Sequence, residues 1–288
     1  MSDTQDIGNE IVFVKNLQRL VSAYEEIAVM RIEKVRNNVI AARFFREGLS
    51  NIFSEIQHSH QREIAAQLEK KKKKLIPRQA TLLISTNTRL AGSITARVSQ
   101  SFMKHVKSVE TDVVVLGQIG KEYLSQAGFK QDMTFFPLTK DQPTMQDLKP
   151  LVDHLLQYQA VTVFFGHFEN LVTQQPAKVD LGSRQVLDEL AKSQSTLKRS
   201  VDTYLFEPSL DEIIKFFNNQ IFATLVKMTM SESWLSLLGS RITAMEQASG
   251  NVIKRIQTLE QDHRRAVRRV QNIKQRDRLS GITLWHNN

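Results

Sequence analysis

Two long stretches of this chain repeat their apolar residues every seven positions, one near each end. In the later stretch one line runs through Ile214, Ile221, Met228, Leu235, Ile242, Ser249, Ile256, His263 and Val270. A second line lies three residues on, from Phe217 through Leu238, Met245, Val252 and Leu259 to Ile273. A repeat of this length keeps one seam of a helix facing a partner helix, and so predicts a coiled coil. Pro208 stops whatever precedes, and Ser209 with Glu212 forms a Ser-x-x-Glu capping box at the start. Gly239 and Gly250 are the weak points of this helix, each about 1 kcal/mol less favourable than alanine. One helix over 209–273 would be roughly 95 Å long, too long for an ordinary single core.

The N-terminal stretch reads the same way. Val14, Val21, Ala28, Val35, Ala42, Leu49 and Ile56 form one line, and Leu17, Tyr24, Arg31, Asn38, Phe45 and Ile52 the other. Arg31 and Asn38 interrupt the seam, as polar residues do where a coiled coil fixes its register. The helix can continue through Lys70–Lys74 until Pro77 ends it. Each of the two helices can bury its stripe only against something else, and the other helix is the economical partner.

Between them the period changes. Short apolar runs at Thr81–Ser85, Asp112–Leu116, Met133–Leu138, Ala160–Phe165 and Thr203–Phe206 read as strands. Helical stretches follow to about Lys107, near Lys121–Ala127 and over Met145–Tyr158. Alternation of this kind argues an open, largely parallel α/β sheet. The predicted fold is therefore α/β: a long antiparallel coiled coil of the N- and C-terminal helices with an inserted Rossmann-like open sheet domain. Its divisions fall at 1–76, 77–208 and 209–288.

Composition narrows the function classes. There is no cysteine, which rules out a disulfide scaffold or thiolate metal site. No run approaches the ~18 apolar residues of a membrane span, so direct membrane insertion is not expected. The formal net charge is +9, and it is unevenly placed. Nine basic residues between Lys254 and Arg278 face only Glu260, Asp262 and Asp277, a local balance of +6. Arg264/Arg268 and Arg265/Arg269 are like-charged i, i+4 pairs, destabilising to an isolated helix by a few tenths of a kcal/mol each. An external acidic surface would offset that. A nucleic-acid partner is disfavoured, because this segment has no aromatic residue on which bases could stack.

Catalytic chemistry finds no constellation. Gly117-Gln118-Ile119-Gly120-Lys121 is two residues short of a phosphate-wrapping loop, and Glu122 stands where a hydroxyl is needed. The loop Asn87–Ser93 lies at a strand's carboxyl end, where α/β folds often bind ligands, but it reads more simply as a tight turn on Gly92. His58 and His60 point in different directions on one helix and cannot share a metal. No G-x-S-x-G or related nucleophile context occurs. No catalytic residue, metal or cofactor is expected.

Four stretches carry a resemblance. Val14–Ala28 (VKNLQRLVSAYEEIA) is similar to the segment SVKNTQKITKAMEMVA of the gamma subunit of F-type ATP synthases. Ile84–Ser93 resembles that family's SDRGLCGG turn, and Glu207-Pro208-Ser209 its entry to the last helix. Arg241–Asn251 (RITAMEQASGN) resembles the pattern RMxAMxxATxN. The chain departs from the family at Arg264-Arg265-Ala266-Val267-Arg268, where the tip pattern's arginine–glutamine pair is not kept, and at Lys274, which replaces an acidic position.

The resemblance implies a non-catalytic central rotor shaft that couples a hexameric head of alpha- and beta-type subunits to a membrane ring, with an epsilon-type subunit beside it. It implies a cytoplasmic location, peripheral to the membrane through the complex. The family's register would put Val14 beside Val252 and Val21 beside Met245, with Arg241 also on the seam. Head contacts would fall on Arg264, Arg265, Arg268, Arg269 and Lys274. A second reading keeps the shaft's fold but serves a paralogous ATPase-driven machine that makes no ATP. On either reading the purified chain is expected to hydrolyse no nucleotide. ATPase activity that survives removal of contaminating hexamer and disappears in Lys121→Ala would overturn this.

Overall fold

A computed structural model describes residues 2–59, 76–89, 92–138, 143–181 and 210–285. The chain divides into two compact units, one of Met1–Val29 with Ile242–Asn288 and one of Met30–Arg241. Two helices contribute to both: α1 (Ser2–Ser59) and the 76-residue C-terminal helix, α5 (Leu210–Trp285). Between them run β1 (Ile76–Ile84), α2 (Ile94–Ser108), β2 (Asp112–Leu116), α3 (Gln118–Gln126), β3 (Met133–Phe136), α4 (Met145–Leu155), β4 (Tyr158–Phe168) and β5 (Gln174–Asp180). The expected strand at Thr203–Phe206, the Ser209 cap and the Lys70–Lys74 run lie outside the described residues.

In the unit of Met30–Arg241 the sheet has the order β3-β2-β1-β4-β5. β1 pairs in parallel with β2 and β4, β2 in parallel with β3, and β5 antiparallel with β4. β1 is central and apolar on both faces because both are covered. On one face Ala80, Leu82 and Ile84 pack with Leu148, Leu151 and Leu155 of α4 and with Ile221, Phe222 and Val226 of α5. Leu83 alternates to the other face with Phe164, whose ring meets Phe102 of α2 edge-on at 5.7 Å. Each fully buried leucine of this kind stabilises by about 1.5–3 kcal/mol. Helix α4 starts at a complete capping box: Thr144 Oγ1 accepts from the Asp147 amide, and Asp147 Oδ2 accepts from the Thr144 amide.

The unit of Met1–Val29 and Ile242–Asn288 is an antiparallel helix pair. Val14, Ile256 and Leu259 form a buried cluster, with Ile7, Ile11 and Val252 packed against it. Lys15 Nζ lies 2.8 Å from Glu260 Oε1, and Arg255 Nη2 lies 2.5 Å from Glu10 Oε1. A Cβ on Gly8 would stand 3.9 Å from His263 Nε2, which fixes the direction of pairing. The centre of the cluster is thus one turn further along α5 than Val252. Burial continues past Leu259: His263, Ala266, Val267 and Val270 are half-buried, while Ile273 is 47% exposed.

One expectation for α1 is corrected. Val14, Val21, Ala28 and Val35 are buried, but the line three residues on turns outward: Leu17 is 40% and Tyr24 48% exposed, and Arg31 is exposed. Half-buried positions fall four residues on instead, at Gln18, Glu25 and Ile32. The stripe leans to the other side of its main line, so Arg31 interrupts nothing.

The Lys15–Glu260 pair makes a pH statement. The Lys15 ammonium, as hydrogen-bond donor and as charge, holds the Glu260 carboxyl below the usual carboxylate range. A carboxyl depressed on folding stabilises fully above its unfolded pKa, and loses that contribution as pH falls through the lower folded value. The register is checked by cysteine pairs, introduced cleanly into a chain that has none. A disulfide needs Cα atoms within about 7 Å. Val14→Cys with Ile256→Cys is expected to crosslink more readily than Val14→Cys with Val252→Cys, and the reverse order would refute the register.

Candidate functional site

The carboxyl edge of a parallel sheet is where an α/β fold usually takes a ligand, at the point where strand order reverses. Here that point lies between β1, which leads to β2 on one side, and β4 on the other. The crevice is closed by the protein itself. Asn87, just after β1, accepts the Gln118 amide on its Oδ1 at 2.8 Å and donates its side-chain N–H to the Leu138 carbonyl. Ile119 N donates to Thr86 O at 2.9 Å. Two of the first amides of α3 are thereby used inside the fold.

The Gly117–Lys121 segment is accordingly a packing turn. Gly117 sits at φ +95°, and a Cβ there would be 2.8 Å from the backbone carbon of Ser85. A Cβ on Gly120 would be 2.7 Å from the Ser85 Cβ. Both glycines are thus required for close approach to the end of β1. Lys121 lies over the Phe135 ring, 4.8 Å from its centroid.

What remains of the crevice is a cavity of about 30 Å³, lined by Ser85, Thr86, Ile94, Gly166, Ser233 and Trp234 among others. That is room for about one or two water molecules. Trp234 Nε1 and Ser85 Oγ are buried there without a protein partner. The wall opposite the strands is α5, whose residues 234–241 are all buried. Arg241 is only 7% exposed, and its Nη2 donates to Thr88 Oγ1 at 2.9 Å and reaches the Arg89 carbonyl at 3.5 Å. Its contacts here are thus to the turn after β1.

Of the other seam candidates, Val14, Val21 and Met245 are buried and Val252 is half-buried. The basic candidates are placed differently. Arg264, Arg265, Arg268, Arg269 and Lys274 are all exposed. At 100° per residue the four arginines form one band, while half-buried His263, Ala266, Val267 and Val270 lie on the opposite side of α5. Arg265 has an acidic neighbour, Asp262, at 3.6 Å, and the positive charge of Arg264 adds to the lowering of the Glu260 carboxyl. The like-charge crowding is therefore partly relieved inside the helix, contrary to the bare charge count. His58 and His60 cannot be placed: no side-chain position is described for the first, and the second lies outside the described residues. Among the described residues no group of three His, Cys, Asp or Glu could hold a metal ion.

One surface escaped the sequence reading. Phe13 is 68% exposed, and Leu17, Leu20, Tyr24 and Ile27 follow it on the same face of α1, all exposed. Their spacing of 4, 3, 4 and 3 residues is helical, and is visible in the sequence as a second apolar stripe beside the buried one.

Comparison with known proteins bears on the chain as a whole. A family model described as ATP synthase matches residues 3–275. The ATP synthase gamma chain of Ruthia magnifica is 23% identical over 262 residues, covering 87% of this chain and 88% of the relative. That of Staphylococcus epidermidis is 22% identical over the same span. Among solved structures, a chain of the Euglena gracilis mitochondrial ATP synthase (OSCP/F1/c-ring) superposes with a TM-score of 0.66 at 14% identity. It covers 99% of this chain and 95% of that one. A chain of the Tetrahymena thermophila mitochondrial ATP synthase central stalk and c-ring gives 0.55 at 19% identity, covering 80% and 99%. The structural likenesses show the fold of a central stalk, terminal helices around an α/β sheet, and the match over nearly the whole length shows the rest: this chain belongs to the ATP synthase family, as a gamma-type subunit.

Proposed function

We propose that this chain is the central shaft of a rotary ATPase, without an active site of its own, turning in a hexameric head of alpha- and beta-type subunits. It would couple ATP synthesis or hydrolysis in that head to a membrane ring, with an epsilon-type subunit at its side. The observation that supports this best is the antiparallel pair of Met1–Val29 and Ile242–Asn288. The pair buries one stripe internally yet leaves a second, Phe13 to Ile27, facing outward. An exposed apolar stripe of this length marks a contact surface. An apolar sleeve around the shaft would cover it.

The closed sheet edge favours a non-catalytic role, since the amides of Gly117, Gln118 and Ile119 at the start of α3 are bonded within the fold. The chain would be held peripheral to the membrane by its complex. Among the described residues no helix is long and apolar enough to cross one.

The basic band of Arg264, Arg265, Arg268 and Arg269, with Lys274, is assigned to acidic loops of the head. Each exposed pair contributes no more than ~1 kcal/mol, so the band biases angular positions and does not hold the shaft in place. Reversing all four arginines to glutamate is expected to leave the sheet unit folded by circular dichroism. Head assembly should weaken, or hydrolysis uncouple from rotation. Unchanged assembly, hydrolysis rate and torque in the reconstituted head would remove the band from the mechanism.

A further inference from the structure

The segment Ser233–Arg241 of α5 sits where an open sheet would hold its ligand, and the fit is as close as backbone allows. A Cβ on Gly92, whose φ is +64°, would stand 2.5 Å from the Ser240 carbonyl oxygen. A Cβ on Gly166 would stand 2.6 Å from Ser236 Oγ, and one on Gly239 would stand 2.8 Å from Gln174 Nε2. Small residues on both sides let helix and strand ends interlock. Such packing resists sliding, and Ser233 and Glu232 of α5 also meet Gly166 and His167 of β4, but these polar contacts hold β4 and not the turn after β1. Arg241 reaches the turn itself. Its buried guanidinium grips the turn at Thr88 Oγ1 and the Arg89 carbonyl. On the sheet side the same turn is braced by Thr86 Oγ1, which accepts the Thr88 amide at 3.1 Å, and by Asn87, which ties it to α3 and to Leu138.

Burying a guanidinium is costly unless its donors are satisfied, so a buried arginine at this junction needs a compensating gain. We infer that Arg241 is a positioning residue for torque: it latches the turn after β1 to α5, so that the sheet unit and the helix turn as one body. This rests on the shaft reading, and it adds where the shaft is gripped.

Hydrogen exchange of the full chain reads the latch without any partner. Loss of a charge-assisted hydrogen bond of ~1.5–3 kcal/mol should speed exchange at the amides of residues 86–89 by about 10-fold or more in Arg241→Ala. Arg241→Lys, which lacks the planar fork, should fall between. Should Arg241→Ala fail to fold, Thr88→Val removes the acceptor from the other side and should act likewise. In the reconstituted head, a bead on the sheet unit should show a wider angular spread at each dwell, and less work per ATP, with Arg241→Ala.

A disulfide from Gly166→Cys and Ser236→Cys would fasten the sheet to α5 independently, through β4 instead of the turn after β1. The Cβ positions stand 3.0 Å apart, so they need to open by a few tenths of an ångström or more. Oxidising that pair in the Arg241→Ala background should restore spread and work, and reduction should abolish the rescue. Unchanged exchange and spread in Arg241→Ala, or an oxidised bridge that restores neither, would overturn the latch. A wild-type shaft that never turns in the head would instead overturn the shaft reading, while the exchange result still decides whether Arg241 holds the turn.

Discussion

At Gly92 and Ser240 a turn and a helix approach so closely that only a hydrogen atom fits on the turn's α-carbon. Much of the architecture follows from that constraint. Helix α5 can lie against the strand ends only because its inner face there carries Ser233, Ser236, Gly239 and Ser240, and because Gly92 and Gly166 meet it. With the helix in place the ligand crevice of the sheet is reduced to about 30 Å³. A fold that elsewhere houses nucleotides thereby becomes a grip on a helix. The same closeness explains why Arg241 can be buried, since the turn brings a hydroxyl and a carbonyl within reach of its fork.

This constraint also separates what was legible in the sequence from what was not. Seven-residue periodicity exposes long helices because it integrates over many turns, and the apolar runs of β1, β2 and β4 show because both sheet faces are covered. β5 was missed. Gln174–Asp180 is a polar edge strand containing Pro176, paired on one side by β4, and carries neither an apolar run nor clean alternation. Its presence is decided by pairing with β4, which no local pattern announces. The phase of the α1 stripe is hidden for a related reason. Leu17 and Tyr24 are as apolar as a seam requires, and only the partner's position shows that Gln18 and Glu25 take the inner side.

Glycines show the limit most clearly. Gly239 and Gly250 look alike in the sequence, two helix-weakening residues. In the structure they differ in kind: a side chain at Gly239 would strike Gln174 and Phe168, whereas nothing lies within 4 Å of the place a Cβ would take at Gly250. The first is required by packing, and its local cost of about 1 kcal/mol is offset by the contact it permits. The second keeps the cost with no steric reason for it. Arg241 is the polar counterpart. The resemblance places it on the seam, and its partners, some 150 positions earlier in the chain, are invisible to any periodic pattern.

One helix therefore carries two surfaces of opposite physics. Along Ser233–Arg241, α5 is held by steric interlock and buried hydrogen bonds, interactions that are short-ranged, directional and not screened by salt. Along Arg264–Arg269 it presents exposed charge, which acts over about 8–10 Å at physiological salt and contributes little per pair. The two cannot exchange roles. A grip made of screened surface charges would slip under load, because each pair exchanges readily with water and ions. A bearing made of interlocked backbones would not turn, because every angular step would have to break close packing at once. A rotating shaft needs firm attachment where torque enters or leaves and a shallow, graded potential where it moves past another surface. With the arginine band assigned to the head as proposed above, the distribution of small buried residues and exposed arginines along α5 would meet both requirements within a single element.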